Sequence, residues 1–520
     1  MIRQFRRVAW WPLLAVFAWW AVTLSARGFA VPDEGRYAGV AWSMVTTGDW
    51  LVPRLDGLPY FHKPPLFYWI TAAAMQWAGP VEWAARLASL LGAMTGATAL
   101  YLFARRWEGE RFGRLALVSL ATQVLVFIGA QFANLDMLVA GCITATVLAF
   151  AHAALVLAGG DRPRATLLAA YLFTALGVLA KGLIGIVLPC GVIVAWLLLQ
   201  RQWRILPSLV WWPGVLLFAV VVAPWFVLMQ RQFPEFSWYF FYVQHFARFA
   251  QGGFNNRQPA YFYPVVLLLL AFPWSLWVFR GAGSAAVSEP MPVTPALRRL
   301  CWTWLLVVTI FFSLPQSKLV GYIFPAAFPL ALLAAGAFGR AEFPSRRLRL
   351  WWRISTGVAV GACVTAVAFG ALNPFHSSRA IGVALRQAGP SDRIVFVKGY
   401  WFDIPVYAAL RRPVIVMDDW NDASVKERDN WRKELADAGR FDPAAGKALL
   451  LPFSDASTVL CTPVTTWVVG DAASVTQFPM LEREAIVAAQ GDVRLWRLAA
   501  TSAQQTRVGC AQAGGLPPAS

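Results

Sequence analysis

Apolar stretches of roughly 18 residues or more recur through the first 372 residues of this chain, each long enough to cross a hydrocarbon core of about 30 Å. Eleven spanning helices are expected, near 8–26, 83–103, 115–131, 137–158, 165–180, 182–200, 207–229, 260–279, 300–314, 319–338 and 352–372. The segment near 66–80 is apolar but also aromatic, and it reads as a helix at the interface or a partial span. Composition agrees: 58% of residues are hydrophobic and 14% charged, against about 25% charged in a soluble domain.

The net charge of +18 invites a nucleic-acid partner, but its distribution argues against one. Arg3, Arg6 and Arg7 precede the first span, and Arg105, Arg106, Arg111 and Arg114 follow the second. Arg162, Arg164, Arg201, Arg204, Arg298, Arg299, Arg346, Arg347 and Arg349 fall in later loops of the same parity. Short loops rich in arginine mark the cytoplasmic side. The amino terminus is therefore expected inside, with odd-numbered spans running outward. Ser-Ala-Arg and Gly-Phe-Ala near residue 26 resemble cleavage contexts, yet the apolar run before them exceeds the usual signal-peptide core, so 1–26 reads as an uncleaved first helix.

Beyond residue 372 the composition becomes that of an ordinary soluble protein. Strand-like runs at 394–397, 414–417, 466–469 and 493–498, with helical stretches at 403–410 and 425–438, predict a small α/β domain over 373–520. An odd number of spans places it outside. Cys142, Cys190, Cys301 and Cys363 fall within spans as small packing residues; Cys461 and Cys510 fall in the outer domain, where a disulfide between them is permitted.

Under this topology one face collects the polar residues. The first outer loop, 27–82, carries Asp33, Glu34, Arg36, Tyr37, Tyr60, His62 and Lys63. The turn between the third and fourth spans carries Asp136, and the next outer turn carries Lys181. The loop 230–259 carries His245 and Arg248, and a last short turn carries Lys318 with Tyr322 beyond it. Charges near a bilayer are costly unless paired, hydrated or used. Lysine and arginine converging there suit a phosphate or pyrophosphate, although any one of them alone could simply meet lipid headgroups. Asp33 either caps a helix running from Glu34 to Thr47 or serves as a base or charge stabiliser. His62 and His245, with Glu34, Glu235 or Asp136, could hold a divalent cation, but their spacing is no metal signature, and a hydrogen-bonding histidine fits either one equally. No GxGxxG or Walker loop appears, so no nucleotide cofactor is expected.

The stretches Asp33-Glu-Gly-Arg-Tyr-Ala38, Gly48-Asp-Trp-Leu-Val-Pro-Arg-Leu-Asp-Gly57 and Tyr60-Phe-His-Lys-Pro-Pro-Leu-Phe-Tyr-Trp69, with Leu135-Asp136, Ala180-Lys181-Gly182, His245 to Phe249 and Ser317-Lys318-Leu319 to Tyr322-Ile323, resemble the bacterial polyprenyl-phosphate-sugar glycosyltransferases. These are GT-C membrane enzymes of the protein O-mannosyltransferase superfamily, and the resemblance is closest to the transferases that add aminoarabinose to lipid A. It implies a polytopic helical protein of the bacterial inner membrane that takes a sugar from undecaprenyl phosphate at the periplasmic face. By the same resemblance Asp33 and Asp136 are the catalytic acids, and Lys63, with Arg36, Arg248 and Lys318, holds the donor phosphate. Glu34, Tyr37, Tyr60, Lys181 and Tyr322 line the substrate cavity, and His62 and His245 are the metal-ligand positions for zinc or magnesium. Where relatives carry Glu-Lys-Pro, this chain has His62-Lys63-Pro64; a histidine still offers zinc a nitrogen. The partners implied are a lipid-linked sugar donor, membrane lipids, and lipid A or another envelope acceptor, with a protein hydroxyl left open. A flippase for the lipid-linked sugar would instead show matched repeats or broken helices at the midplane.

Overall fold

The structure, a computed structural model, describes residues 8–247, 256–282, 295–339, 345–373, 377–427, 430–460 and 462–499. Arg248, His376, Cys461 and Cys510 lie outside them.

Among the described residues, seven helices are long and apolar enough to span a membrane: Glu82–Glu108, Leu135–Ala158, Arg164–Lys181, Trp212–Gln232, Pro295–Ser313, Val320–Phe338 and Arg346–Leu372. An eighth crossing arises if Glu110–Ala121 and Val124–Ala130, bent by 73° from each other, act as one. The protein is thus a polytopic helical membrane protein. The remaining expected spans take other forms. The run near 8–26 forms a helix of 11 residues, Trp11–Ala21, and 182–200 gives one of 16, Ile184–Leu199. The run near 260–279 divides into Phe262–Leu270 and Trp274–Ala282, because Pro273 at the break supplies no backbone N–H to carry the first helix onward. At about 1.5 Å per residue, neither half crosses alone. The aromatic segment near 66–80 becomes Leu66–Ala78, also too short to cross.

One further helix sets up the site. Asp33–Thr47 carries the first loop's charges and ends at Gly48, whose positive φ of 72° closes the helix in the left-handed conformation. It is followed by a two-stranded hairpin, β1 (Arg54–Leu55) and β2 (Leu58–Pro59). Asp56 and Gly57 at its tip have φ of 51° and 78°, as a tight hairpin turn requires.

The carboxy-terminal region forms a six-stranded sheet from β3 (Arg393–Val397), β4 (Ile415–Met417), β5 (Leu450–Leu451), β6 (Thr466–Gly470), β7 (Ile486–Gln490) and β8 (Val493–Leu498), in the order β5-β4-β3-β6-β8-β7. The first four run parallel; β8 joins β6 antiparallel, with Val468 opposite Trp496, and β7 pairs antiparallel with β8. β3 and β6 are almost wholly buried, which explains their unbroken apolar sequence. β5 is only two residues long, and β7 lies at the surface with no buried residue, so both escape a sequence search.

This sheet domain sits directly on the first-loop helix. A Cβ added to Gly35 would lie 2.6 Å from the Asp403 nitrogen and 2.8 Å from the Phe402 carbonyl carbon, so only glycine admits the contact. The Trp42 indole donates to the Leu410 carbonyl at 2.8 Å. The Phe29 N–H donates to the Tyr407 hydroxyl at 2.8 Å, and that hydroxyl donates to Glu82 at 3.2 Å. At the hairpin tip Asp56 Oδ1 accepts from the Val414 N–H at 2.9 Å, while Oδ2 is shielded from solvent and has no hydrogen-bond partner among the described residues. Burial pushes the Asp56 carboxyl up to about 7, against the smaller opposing pull of the Val414 N–H. Its folded pKa lies above the ordinary 3.8, so ionisation opposes folding and stability falls as pH rises from about 4 to about 7. Asp56→Asn keeps the Oδ1 acceptor and removes the charge. It is expected to raise the thermal midpoint at pH 8, with the gain shrinking towards pH 4, in unfolding scans of the detergent-solubilised protein.

Candidate active site

The helix Asp33–Thr47 turns its first two acids to opposite fates. Pro32 is its N-cap and no side chain caps it, so the capping role considered for Asp33 is not the one it takes. The Asp33 carboxylate pairs instead with Arg36 one turn on and keeps 32% of its surface exposed. Glu34 is wholly buried. It receives Arg86 Nε at 2.8 Å and Nη2 at 2.9 Å, pairs with Arg27, and accepts the N–H groups of Ala30 at 2.9 Å and Ala133 at 2.8 Å. Burial works to raise its carboxyl, but Arg86 and Arg27 outweigh that and hold it at about 2. Glu34 is therefore no cavity residue. It is the anchor tying the helix start to Glu82–Glu108 and to the turn before Leu135.

Arg36 is also reassigned. One guanidinium nitrogen pairs with Asp33 and another with Glu434 of the sheet domain, while its plane lies 5.2 Å from the Tyr37 ring and 5.7 Å from that of Phe402. Two carboxylates already match its charge, so it orients Asp33 rather than standing ready for a donor phosphate. Glu434 also accepts from the Tyr60 hydroxyl at 3.3 Å. Burial drives the phenols of Tyr37 and Tyr60 up, so both remain O–H donors. The His62 ring stacks on Tyr60 at 4.3 Å and meets Tyr239 at 5.9 Å.

A second cluster forms where three helix ends converge. Asn134 caps Leu135–Ala158 by accepting the Asp136 N–H at 2.9 Å, which fixes the Asp136 backbone. The Asp136 carboxylate pairs with Lys181 at the end of Arg164–Lys181. The Lys181 ammonium lies 4.1 Å from the centroid of Tyr322, in the turn that leads into Phe324–Gly339. A Cβ on Gly321 would lie 2.9 Å from Asp136 Cγ, so glycine lets this turn close over the acid. The Tyr37 hydroxyl feels the charges of both Asp33 and Asp136, which makes it the joint between the two clusters. Thus Asp33, Arg36, Tyr37 and Tyr60 come together, as do Asp136, Lys181 and Tyr322.

Lys318 does not join them. Its ammonium is buried and donates to the carbonyls of Gln258 at 2.9 Å and Pro315 at 2.5 Å. It clamps its own loop instead of facing a donor phosphate. Lys63 is half-buried in the turn between the hairpin and Leu66–Ala78, directly after His62. Arg248 and the side chain of His245 lie outside the described residues.

Sequence reasoning missed Glu434, Arg27 and Arg86. Glu434 lies on the amphipathic helix Trp431–Phe441, where a lone acid looks like any solvated charge. Arg86 did carry a signal: an arginine inside an apolar span demands a partner.

These features match known proteins. Residues 62–228 fit the family model for dolichyl-phosphate-mannose-protein mannosyltransferase. An undecaprenyl phosphate-alpha-4-amino-4-deoxy-L-arabinose arabinosyl transferase of Aeromonas salmonicida is 32% identical over 71% of this chain and 67% of its own. That of Erwinia tasmaniensis is 33% identical over 61% of this chain and 57% of its own. The crystal structure of ArnT from Cupriavidus metallidurans bound to undecaprenyl phosphate superposes with a TM-score of 0.76, at 21% identity, over 95% of this chain and 98% of that one. This chain belongs to the GT-C arabinosyltransferase family. Its match to the Erwinia relative spans less than two thirds of that protein's length.

Within a GT-C frame a divalent cation needs several convergent donors. Among the described residues no three His, Cys, Asp or Glu side chains converge, and His62 is held face-on against Tyr60. The described donor set does not fit a metal ion.

The Glu34 cluster yields a stability prediction. Arg86→Met leaves a fully buried carboxylate with one guanidinium in place of two, and breaking such a pair costs about 3–5 kcal/mol. Folded yield and thermal midpoint in detergent should both fall sharply.

Proposed function

We propose that this chain is an integral membrane glycosyltransferase that moves 4-amino-4-deoxy-L-arabinose from undecaprenyl phosphate to lipid A, at the periplasmic face of the bacterial inner membrane. The reading takes a cytoplasmic amino terminus and a periplasmic sheet domain, in keeping with the arginine-rich loops of one parity. The observation that carries it is the state of Asp33: a half-exposed carboxylate held by Arg36, which Glu434 steadies from the other side.

The chemistry follows from the charges. The acceptor oxygen bonds to the anomeric carbon as the bond from that carbon to the lipid phosphate oxygen breaks, and the electron pair leaves with the phosphate. Lys63 offers the departing phosphate a cation; Lys181 is already matched by Asp136. Positive charge grows at the sugar ring, where a fixed carboxylate stabilises it. A phosphate acceptor arrives ionised and needs no base, so Asp33 orients the amino sugar and balances that charge. A hydroxyl acceptor would need Asp33 to take its proton. No step of this reading runs through a metal ion.

Reconstitution with undecaprenyl phosphate-aminoarabinose and lipid A, read by mass spectrometry, tests the proposal. Gain of one aminoarabinose per acceptor is expected; an unchanged acceptor with every lipid-linked sugar would overturn it. Asp33→Asn should lower kcat by about a hundredfold or more. With a phosphate acceptor, the wild-type rate should lack the rising limb of an essential base near neutral pH. Glu434→Gln keeps a hydrogen bond to Arg36 but removes a counter-charge. It should lower kcat by about tenfold with little change in donor KM, separating loss of Asp33 orientation from loss of binding.

A further inference from the structure

Two buried polar atoms of the candidate site, the Tyr68 hydroxyl and Nε of Arg36, have no hydrogen-bond partner among the described residues. Native interiors leave few such atoms, because an unpaired buried donor forfeits its water without replacement. Tyr68 is fully buried, at the start of Leu66–Ala78. Its ring lies 6.2 Å from that of Tyr37, over which the Arg36 guanidinium sits at 5.2 Å. The charges of Arg36 and Glu434 both act on the Tyr68 hydroxyl. The two unpaired groups therefore belong to one cluster, yet they do not bond to each other.

Their chemistry defines what fits. Nε of Arg36 only donates, so its partner is an oxygen acceptor; the Tyr68 hydroxyl both donates and accepts. Asp33 and Glu434 already balance Arg36, so an anionic phosphate oxygen gains no uncompensated charge there. A neutral hydroxyl oxygen suits both groups, accepting from the guanidinium and pairing with the phenol. The rings of Tyr37 and Phe67, packed edge-on against each other at 5.8 Å, form the apolar wall beside this pair.

We infer that Tyr68 and Nε of Arg36 together bind one hydroxyl of the donor's sugar, making Tyr68 a sugar-contacting residue. The inference rests on the transferase reading and adds a recognition element to it. A site built to pair with a substrate hydroxyl rejects ligands that lack it, because its own polar groups are then stranded.

The test compares wild type with Tyr68→Phe in detergent, using two probes: undecaprenyl phosphate-α-4-amino-4-deoxy-L-arabinose and bare undecaprenyl phosphate. The substitution removes no protein hydrogen bond, so the thermal midpoint should hold or rise. Affinity and kcat/KM for the sugar-bearing lipid should fall by about tenfold, with binding of the bare lipid unchanged. Equal affinity of both proteins for the sugar-bearing lipid would overturn the inference. So would a matched loss for both lipids, or a lowered midpoint with both weakened, since either marks a structural hydroxyl. If wild type discriminates between the lipids, Tyr68→Phe does not, and no turnover is seen, the transferase reading fails while the sugar contact stands.

Discussion

The buried ion cluster of Glu34 with Arg86 and Arg27 is the constraint on which the site depends. A carboxylate with no solvent access beside a membrane is tolerable only when its charge is matched and its lone pairs are filled. Here two guanidiniums and two backbone N–H groups do both. The result fixes the first turn of Asp33–Thr47 against a spanning helix and against the turn that leads into Asp136. The adjacent residue, Asp33, is thereby delivered to the half-exposed rim. Burial of one acid sets the exposure of its neighbour.

From that anchor the charge chain runs outward through Arg36 to Glu434, and so from the membrane helices into the sheet domain. Each positive group in the described cavity is matched: Arg36 by Asp33 and Glu434, Lys181 by Asp136. Such matching keeps the groups oriented. Aromatic rings separate the pairs, with Tyr37 between the two clusters and Tyr60 between His62 and Glu434.

Much of this was legible in the chain. Long apolar runs announce spanning helices because lipid admits few alternatives, and the buried strands β3, β4 and β6 show themselves as runs rich in β-branched residues. The charged first loop stood out as the place for chemistry, and Asp136, Lys181 and Tyr322 were expected on one face. What could not be read was orientation. Glu34 and Asp33 are adjacent and alike in sequence, and only the helix phase relative to Arg86 separates an anchor from an exposed acid. Arg36 and Lys318 look like phosphate ligands until their carboxylate and carbonyl partners are seen. Glu434 was invisible because its role depends on the docking of two regions far apart in the chain.

The pairing of Arg36 with Glu434 joins residues 398 positions apart. The ribosome finishes the first long before it reaches the second, and the spanning helices and the first two strands of the sheet domain are made in between. The acid at the rim thus gains its full set of neighbours only after nearly the whole polypeptide has emerged and the domain has settled.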